Sequence, residues 1–208
     1  MMKVLTNRYS TRTKYRATLL FLLGSILFSC NPEKEKPIDL ERIPSFRTTE
    51  DSRLFFKNVR GLYYDLQEEK DKPLQYRIED RIQSDTTPQL HLCIVNDPNT
   101  SRAFVLLEPN TFFEEESFPI QVYSAEGTLQ DTLIYKKGNV LQQFELSAEF
   151  YNGILKNDSL VVQKDGKSWP LLTKEEEREA FRITMVDFLR LINYWNKKPQ
   201  KSPYGPSM

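Results

Sequence analysis

The chain carries one histidine and two cysteines. His91 and Cys93 stand two apart in the run LHLCIV at 90–95. Alternate residues of a strand share a face, so the imidazole and the thiol lie side by side. Such a pair can activate a thiolate when a third group orients the imidazole. No sequence feature identifies that group, and the reading adopted is a covered sheet face with an inert thiol. A single histidine excludes the HExxH zinc motif, and GxSxG, SxxK, GxGxxG, the P-loop and CxxC are absent as well. No catalytic residue, cofactor-binding residue, metal ligand or cofactor is therefore expected.

Weaker candidates follow the same logic. Asp97 and Asn99 fall in the turn NDPNTS, but the calcium-loop pattern D-x-[DN]-x-[DN]-G is not met, so a plain turn is expected. Glu114–Glu116 resemble half of a glycosidase carboxylate pair. With 29 acidic residues in the chain, a solvated loop is the simpler reading. Tyr63 and Tyr64 are expected on opposite faces of a strand, which leaves one ring to stack on a sugar. Trp169, beside Pro170, is expected to plug the core.

The elements that must position these residues are mostly strands. Leu62, Tyr64 and Leu66 alternate with Tyr63, Asp65 and Gln67. Leu74, Tyr76, Ile78 and Ile82 alternate with polar residues, the signature of a half-buried antiparallel strand. Further strands are expected at 90–95, 103–107, 119–123, 128–135, 140–146 and 159–163, with an extended piece at 169–172. The KKGN run at 136–139 reads as a hairpin turn, and Ser147 as the cap of a short helix. One long helix closes the chain at 174–196. Thr173 and Glu176 form its capping box, Glu175–Glu177 complement its dipole, and Phe181, Met185, Phe188, Ile192 and Trp195 form one apolar stripe. The expected class is mainly β, an antiparallel sandwich-like or barrel-like domain with one long C-terminal helix, for which α+β is an acceptable label.

The N-terminus carries a different chemistry. Residues 1–16 hold Lys3, Arg8, Arg12, Lys14 and Arg16 and no acid, and an apolar run of about a dozen residues follows from Ala17. A transmembrane helix needs about 20 such residues; a basic flank, a short apolar run and a small-residue site read as a secretory signal. Leu27-Phe28-Ser29-Cys30 resembles the lipobox of bacterial lipoproteins, although Phe28 is bulkier than the usual residue there. The resemblance implies cleavage between Ser29 and Cys30, diacylglycerol on the Cys30 thiol and acylation of the new amino terminus. Two or three chains hold a protein on a membrane stably, whereas one does so only marginally. Asn31 in place of aspartate implies outer-membrane delivery, and the EKEK run resembles the charged stretches of surface-exported lipoproteins, with a plain polar linker the simpler reading.

Removing residues 1–29 turns a balanced 29 against 29 into 24 basic against 29 acidic residues, a net of −5. That excludes a nucleic-acid partner, which requires a basic footprint. With Cys30 lipidated, Cys93 has no disulfide partner, so the domain holds together by its core. The expected organisation is a lipoprotein signal peptide at 1–29, Cys30 and a flexible tether to residue 51, one β-rich domain at 52–198, and a disordered tail at 199–208. The function this implies is a lipid-anchored envelope lipoprotein with a non-catalytic binding or accessory domain, facing the periplasm or the cell surface. A lipid-anchored hydrolase or a sugar-binding module is the alternative. The expected partners are a membrane, through lipid on Cys30, and an envelope protein or glycan. Asp85-Thr86-Thr87, Asp131-Thr132-Leu133 and Asp158-Ser159-Leu160 resemble O-glycosylation acceptors of some envelope-rich bacteria.

Overall fold

The structure, a computed structural model, describes residues 36–196. The signal segment, Ser29, Cys30 and the 199–208 tail lie outside the described residues.

The first helical segment begins where Thr49 accepts the Ser52 N–H at 3.1 Å and Ser52 Oγ accepts the Thr49 N–H at 3.0 Å. This reciprocal cap starts α1 (Glu50–Phe55), which continues through a π-helical stretch, Phe56–Arg60, and a 3₁₀ turn, Gly61–Tyr63. Two expectations fail here. The strand expected from Leu62 starts only at Tyr64, and the tether expected to residue 51 is already packed from Ile38. Ile38 and Phe46 are core residues, Ile38 and Asn152 exchange two hydrogen bonds of 2.8 Å, and Arg47 bridges Arg102. Two apolar residues spaced widely among charges suffice to pin this segment, a pattern with no period to read.

Four strands then form an antiparallel sheet in chain order: β1 (Tyr64–Gln67), β2 (Leu74–Ile78), β3 (Leu90–Asp97) and β4 (Arg102–Pro109). Period-two alternation sends Tyr76, Ile78, Leu90, Leu92, Ile94, Ala103, Val105 and Leu107 into the core. A second antiparallel sheet has the order β6-β5-β7-β8, from β5 (Ser117–Tyr123), β6 (Leu129–Lys136), β7 (Ser159–Lys164) and β8 (Lys167–Leu171). Asp165 and Gly166, both at positive φ (53° and 70°), make the two-residue turn joining β7 to β8.

Between β6 and β7 runs α2 (Val140–Leu155). This corrects the strand expected at 140–146 and the hairpin turn expected at KKGN. Asn139 is the helix N-cap, its side chain accepting the Gln142 N–H at 3.0 Å. Asparagine serves turns and caps alike, so its type alone could not decide. The final helix, α3 (Glu175–Leu191), forms as expected but ends sooner, with Asn193 at φ 54° and a 3₁₀ turn at Tyr194–Asn196. Its capping hydrogen bond lies one residue later than expected: the Lys174 N–H donates to Glu177 at 3.2 Å.

α2 packs on β4, α3 packs on β3 and β4, and the two helices touch. Phe46 wedges between them, 5.8 Å from Phe144 and 6.5 Å from Phe188 by ring centroid. Each such buried ring contributes about 1.5–3 kcal/mol. The result is the expected class, mainly β and α+β, with one long C-terminal helix. Among the described residues no helix is long and apolar enough to cross a membrane.

Candidate functional site

His91 and Cys93 do share a face of β3, the face turned away from the main core. In register, Cys93 sits between Arg77 of β2 and Leu106 of β4, and His91 opposite Glu108. Cys93 is fully buried, and its Sγ makes a weak contact with the Ile94 carbonyl at 3.8 Å. Burial, with help from the Glu108 charge, pushes the thiol up to about 12. The thiolate fraction at neutral pH is then on the order of one in 10⁵. Burial and the Arg81 charge hold His91 below its ordinary value, so the imidazole is neutral at pH 7.

Glu108, the carboxylate nearest in register, is occupied. Arg77 holds both its oxygens, at 2.6 and 2.7 Å, and also donates to Gln67 at 2.9 Å and Gln75 at 2.6 Å. That pairing keeps the guanidinium protonated even more firmly than usual. The cavity beside His91, walled by Arg81, Leu90, Glu177, Phe181 and Thr184, is about 20 Å³. That holds a single water and no substrate. This face is a charge-locked wall with its thiol and imidazole both neutral.

The other candidates separate in the same way. The Asp97 carboxylate accepts Asn99 N–H at 3.0 Å and Thr100 Oγ1–H at 2.7 Å, which lowers its pKa and closes the turn. Glu114–Glu116 are exposed. Tyr63 is exposed with the Arg60 guanidinium 4.7 Å from its ring, whereas Tyr64 is buried. Trp169 is half-buried in β8, edge-on to Phe112 at 5.1 Å. Thr86 and Thr132 are exposed; Ser159 is exposed beside a buried Asp158. Among the described residues no three His, Cys, Asp or Glu side chains gather as metal ligands.

Sequence reasoning missed a buried ionic cluster. Asp187 of α3 is 1% exposed. It accepts Arg60 Nε at 2.9 Å to each oxygen and Tyr64 Oη–H at 2.8 Å. Burial, then the Asp187 charge, raises the Tyr64 phenol far above its ordinary value. The cluster ties the end of the π-helical stretch after α1 and the start of β1 to α3. Its one sequence signal is an aspartate inside the apolar run MVDFLRL at 185–191.

It also missed an open groove. β6 is an edge of the second sheet and has no strand on its outer side. Its Leu133 and Ile134 meet α2's Glu145, Leu146 and Glu149 around a groove of about 360 Å³, with Lys136 and Gln142 at one end. Ile134 is 57% exposed. Burial and the nearby Asp131 raise the pKa of the half-buried Glu149. The groove thus offers an unpaired strand edge, an apolar floor and an acidic wall. The edge was unreadable because its helical wall was expected to be a strand.

Fold and groove together define an α+β domain in which the β6 edge of the second sheet is open. No protein-family model, no curated protein and no solved structure matches the chain.

Proposed function

We propose that this chain is a lipid-anchored lipoprotein of the bacterial cell envelope, held in the outer membrane by lipid on Cys30. Its domain binds another envelope protein and does no chemistry of its own. The observation that carries the anchor is the order basic segment, short apolar run, Leu27-Phe28-Ser29-Cys30. The non-catalytic reading is supported by the state of the His91–Cys93 pair, both neutral, with the adjacent carboxylate held by Arg77.

The β6–α2 groove is the binding site in this reading. A free strand edge recognises an extended peptide through main-chain hydrogen bonds. Leu133 and Ile134 favour apolar side chains, and the Asp131, Glu145 and Glu149 carboxylates favour a basic residue among them. The occupant is therefore an extended segment carrying a lysine or arginine.

Two measurements test the two halves. Cys30→Ala is expected to accumulate an unprocessed precursor that takes up no labelled lipid. A variant that matures and partitions like the parent sinks the anchor. A photo-crosslinking amino acid at Ile134 is expected to capture one envelope protein in cells, while the same group at the β7–β8 turn, Asp165, captures none. Capture of glycan alone at position 134, or equal capture at both positions, overturns the peptide reading.

A further inference from the structure

The solvent face of the α1–β1 segment carries large apolar residues among exposed polar ones such as Lys57, Asn58 and Asp65. Leu54, Phe55, Val59, Leu62, Tyr63 and Leu66 are all large and all roughly half exposed or more, with Leu62 at 74%. The opposite face holds the segment down: Ser52 Oγ donates to the Leu191 carbonyl at 2.7 Å, Phe56 is in the core, Arg60 pairs with Asp187, and Tyr64 is buried. The chain has thus fixed a helical segment through its polar and aromatic side and turned six large apolar residues outward. Contiguous exposed apolar residues of this kind mark a contact surface.

The position of the strip says what covers it. Asn193 Nδ2 lies 3.3 Å from Thr49 Oγ1, so α1 begins at the C-terminal end of α3. Lys36 Nζ lies 4.5 Å from the ring centroid of Trp195, so the described chain enters at that same end. Six residues, Asn31 to Lys36, separate this entry from Cys30. They span at most about 20 Å when fully extended. A lipid on Cys30 therefore keeps this end of the domain within about 20 Å of the membrane. α1 and its continuation run for about 20 Å themselves, at 1.5 Å per residue.

We propose that the α1–β1 strip lies on the surface of the phospholipid bilayer that holds the Cys30 lipid. Leu54, Phe55, Val59 and Leu62 enter the boundary between headgroups and acyl chains. Tyr63 sits at headgroup level, and Lys57 reaches up to the phosphates. The segment from Glu50 to Gln67 carries Arg53, Lys57 and Arg60 against Glu50, Asp51 and Asp65. With the charges balanced, apolar burial drives the contact, which needs no anionic lipid and depends little on salt. This inference rests on the lipid-anchor reading for its geometry.

The test uses the mature lipidated chain in phosphatidylcholine–phosphatidylethanolamine vesicles. A nitroxide is placed by Leu62→Cys and, as a control on β6, by Gln130→Cys. Oxygen and a nickel chelate compete to relax it, and mass spectrometry reports the lipid on Cys30. The label at 62 is expected to favour oxygen at least tenfold over the label at 130. A lipidated chain whose two labels are equally open to the nickel chelate overturns the strip proposal. So does a label at 62 that is immobilised without vesicles in proportion to protein concentration, which marks a second copy as the occupant. A chain that carries no lipid yet buries the label at 62 in vesicles sinks the anchor and leaves the strip standing.

Discussion

β4 and β6 are edge strands of equal length, eight residues each, and the molecule treats them in opposite ways. The outer side of β4 is closed. The Ala103 N–H donates to the Phe46 carbonyl at 3.0 Å, and the Thr48 N–H donates to the Ser101 carbonyl at 2.9 Å. Further along, the Leu107 N–H donates to Gln143 at 2.9 Å, and its carbonyl accepts the Tyr135 hydroxyl at 3.2 Å. The outer side of β6 is covered at its end, where Gln143 Nε2–H donates to the Lys136 carbonyl at 2.8 Å, and its residues are mostly exposed. Its protection is of the kind edge strands use to avoid aggregation: a bulge at Val122/Tyr123 in its pairing with β5, and charges at Asp131 and Lys136. A fold that closes one edge with Phe46, Gln143 and Tyr135 and leaves most of the other to a bulge and charges keeps that second edge available.

Emptying the core behind the segment that closes β4 gives the largest effect. Phe46→Ala removes the ring wedged between Phe144 and Phe188 and is expected to cost about 3–5 kcal/mol in chemical denaturation. Its backbone sits at φ 52°, in the left-handed region that alanine also disfavours, so no relief of strain offsets the loss. Gln143→Ala comes next. That side chain joins the two sheets, accepting from Leu107 N–H at 2.9 Å and donating to the Lys136 carbonyl at 2.8 Å. The buried Leu107 N–H loses its partner, at about 1–3 kcal/mol, while the part-buried Lys136 carbonyl turns to water, so about 1–3 kcal/mol is expected. A Gln143→Ala loss below about 0.5 kcal/mol would show that water replaces it and that β4 is not closed by this residue.

The contrast also explains what the sequence disclosed. Strands whose alternation answers to one buried face, such as Leu74–Ile78, could be read from period two, and α3 from its helical stripe Phe181, Met185, Phe188 and Ile192, which is buried. α2 could not. Its Phe144 and Leu146 flank the exposed Glu145 as strand residues would, and its buried polar Gln143 and Ser147 blur the helical stripe. α1 failed for the opposite reason. Its Leu54 and Phe55, with Val59 beyond, face the solvent while Phe56 faces the core, so no single apolar stripe marks a helix. The groove was hidden with α2, and the Asp187 cluster pairs residues more than 120 positions apart, beyond the reach of any local pattern. The His91–Cys93 pair was legible as a pair, but its inertness depended on Arg77, Glu108 and burial.

Opening the comparison from the β6 side separates binding from stability. Ile134→Asp places a charge on an exposed edge residue and is expected to change stability by no more than about 0.5 kcal/mol. The same variant is expected to abolish crosslinking from a neighbouring groove position, Leu133. Loss of the partner with full stability sharpens the contrast with Phe46→Ala. Retention of the partner breaks it. A parallel check on the first sheet is the thiol: iodoacetamide is expected to alkylate Cys93 at least a hundredfold more slowly in the native chain than in urea. Rapid native labelling would contradict the locked face.

The smallest effect lies in the groove wall. Glu149 holds its proton to a higher pH when folded, because burial and Asp131 disfavour its charge. The folded state therefore binds more protons than the unfolded state between the ordinary value of 4.5 and the raised one. Stability falls as pH rises through that window, and the loss persists above it. Glu149→Gln is expected to flatten that step and to gain a few tenths of a kcal/mol at pH 7, since the carboxyl is only half-buried and solvent screens it. In the same variant, binding of a basic peptide to the groove is expected to weaken, because the occupant's cation is what compensates the Glu149 charge. A variant that gains stability and also binds the peptide more tightly would mean that the wall repels its occupant, and the acidic side of the groove would then have to be read as edge protection.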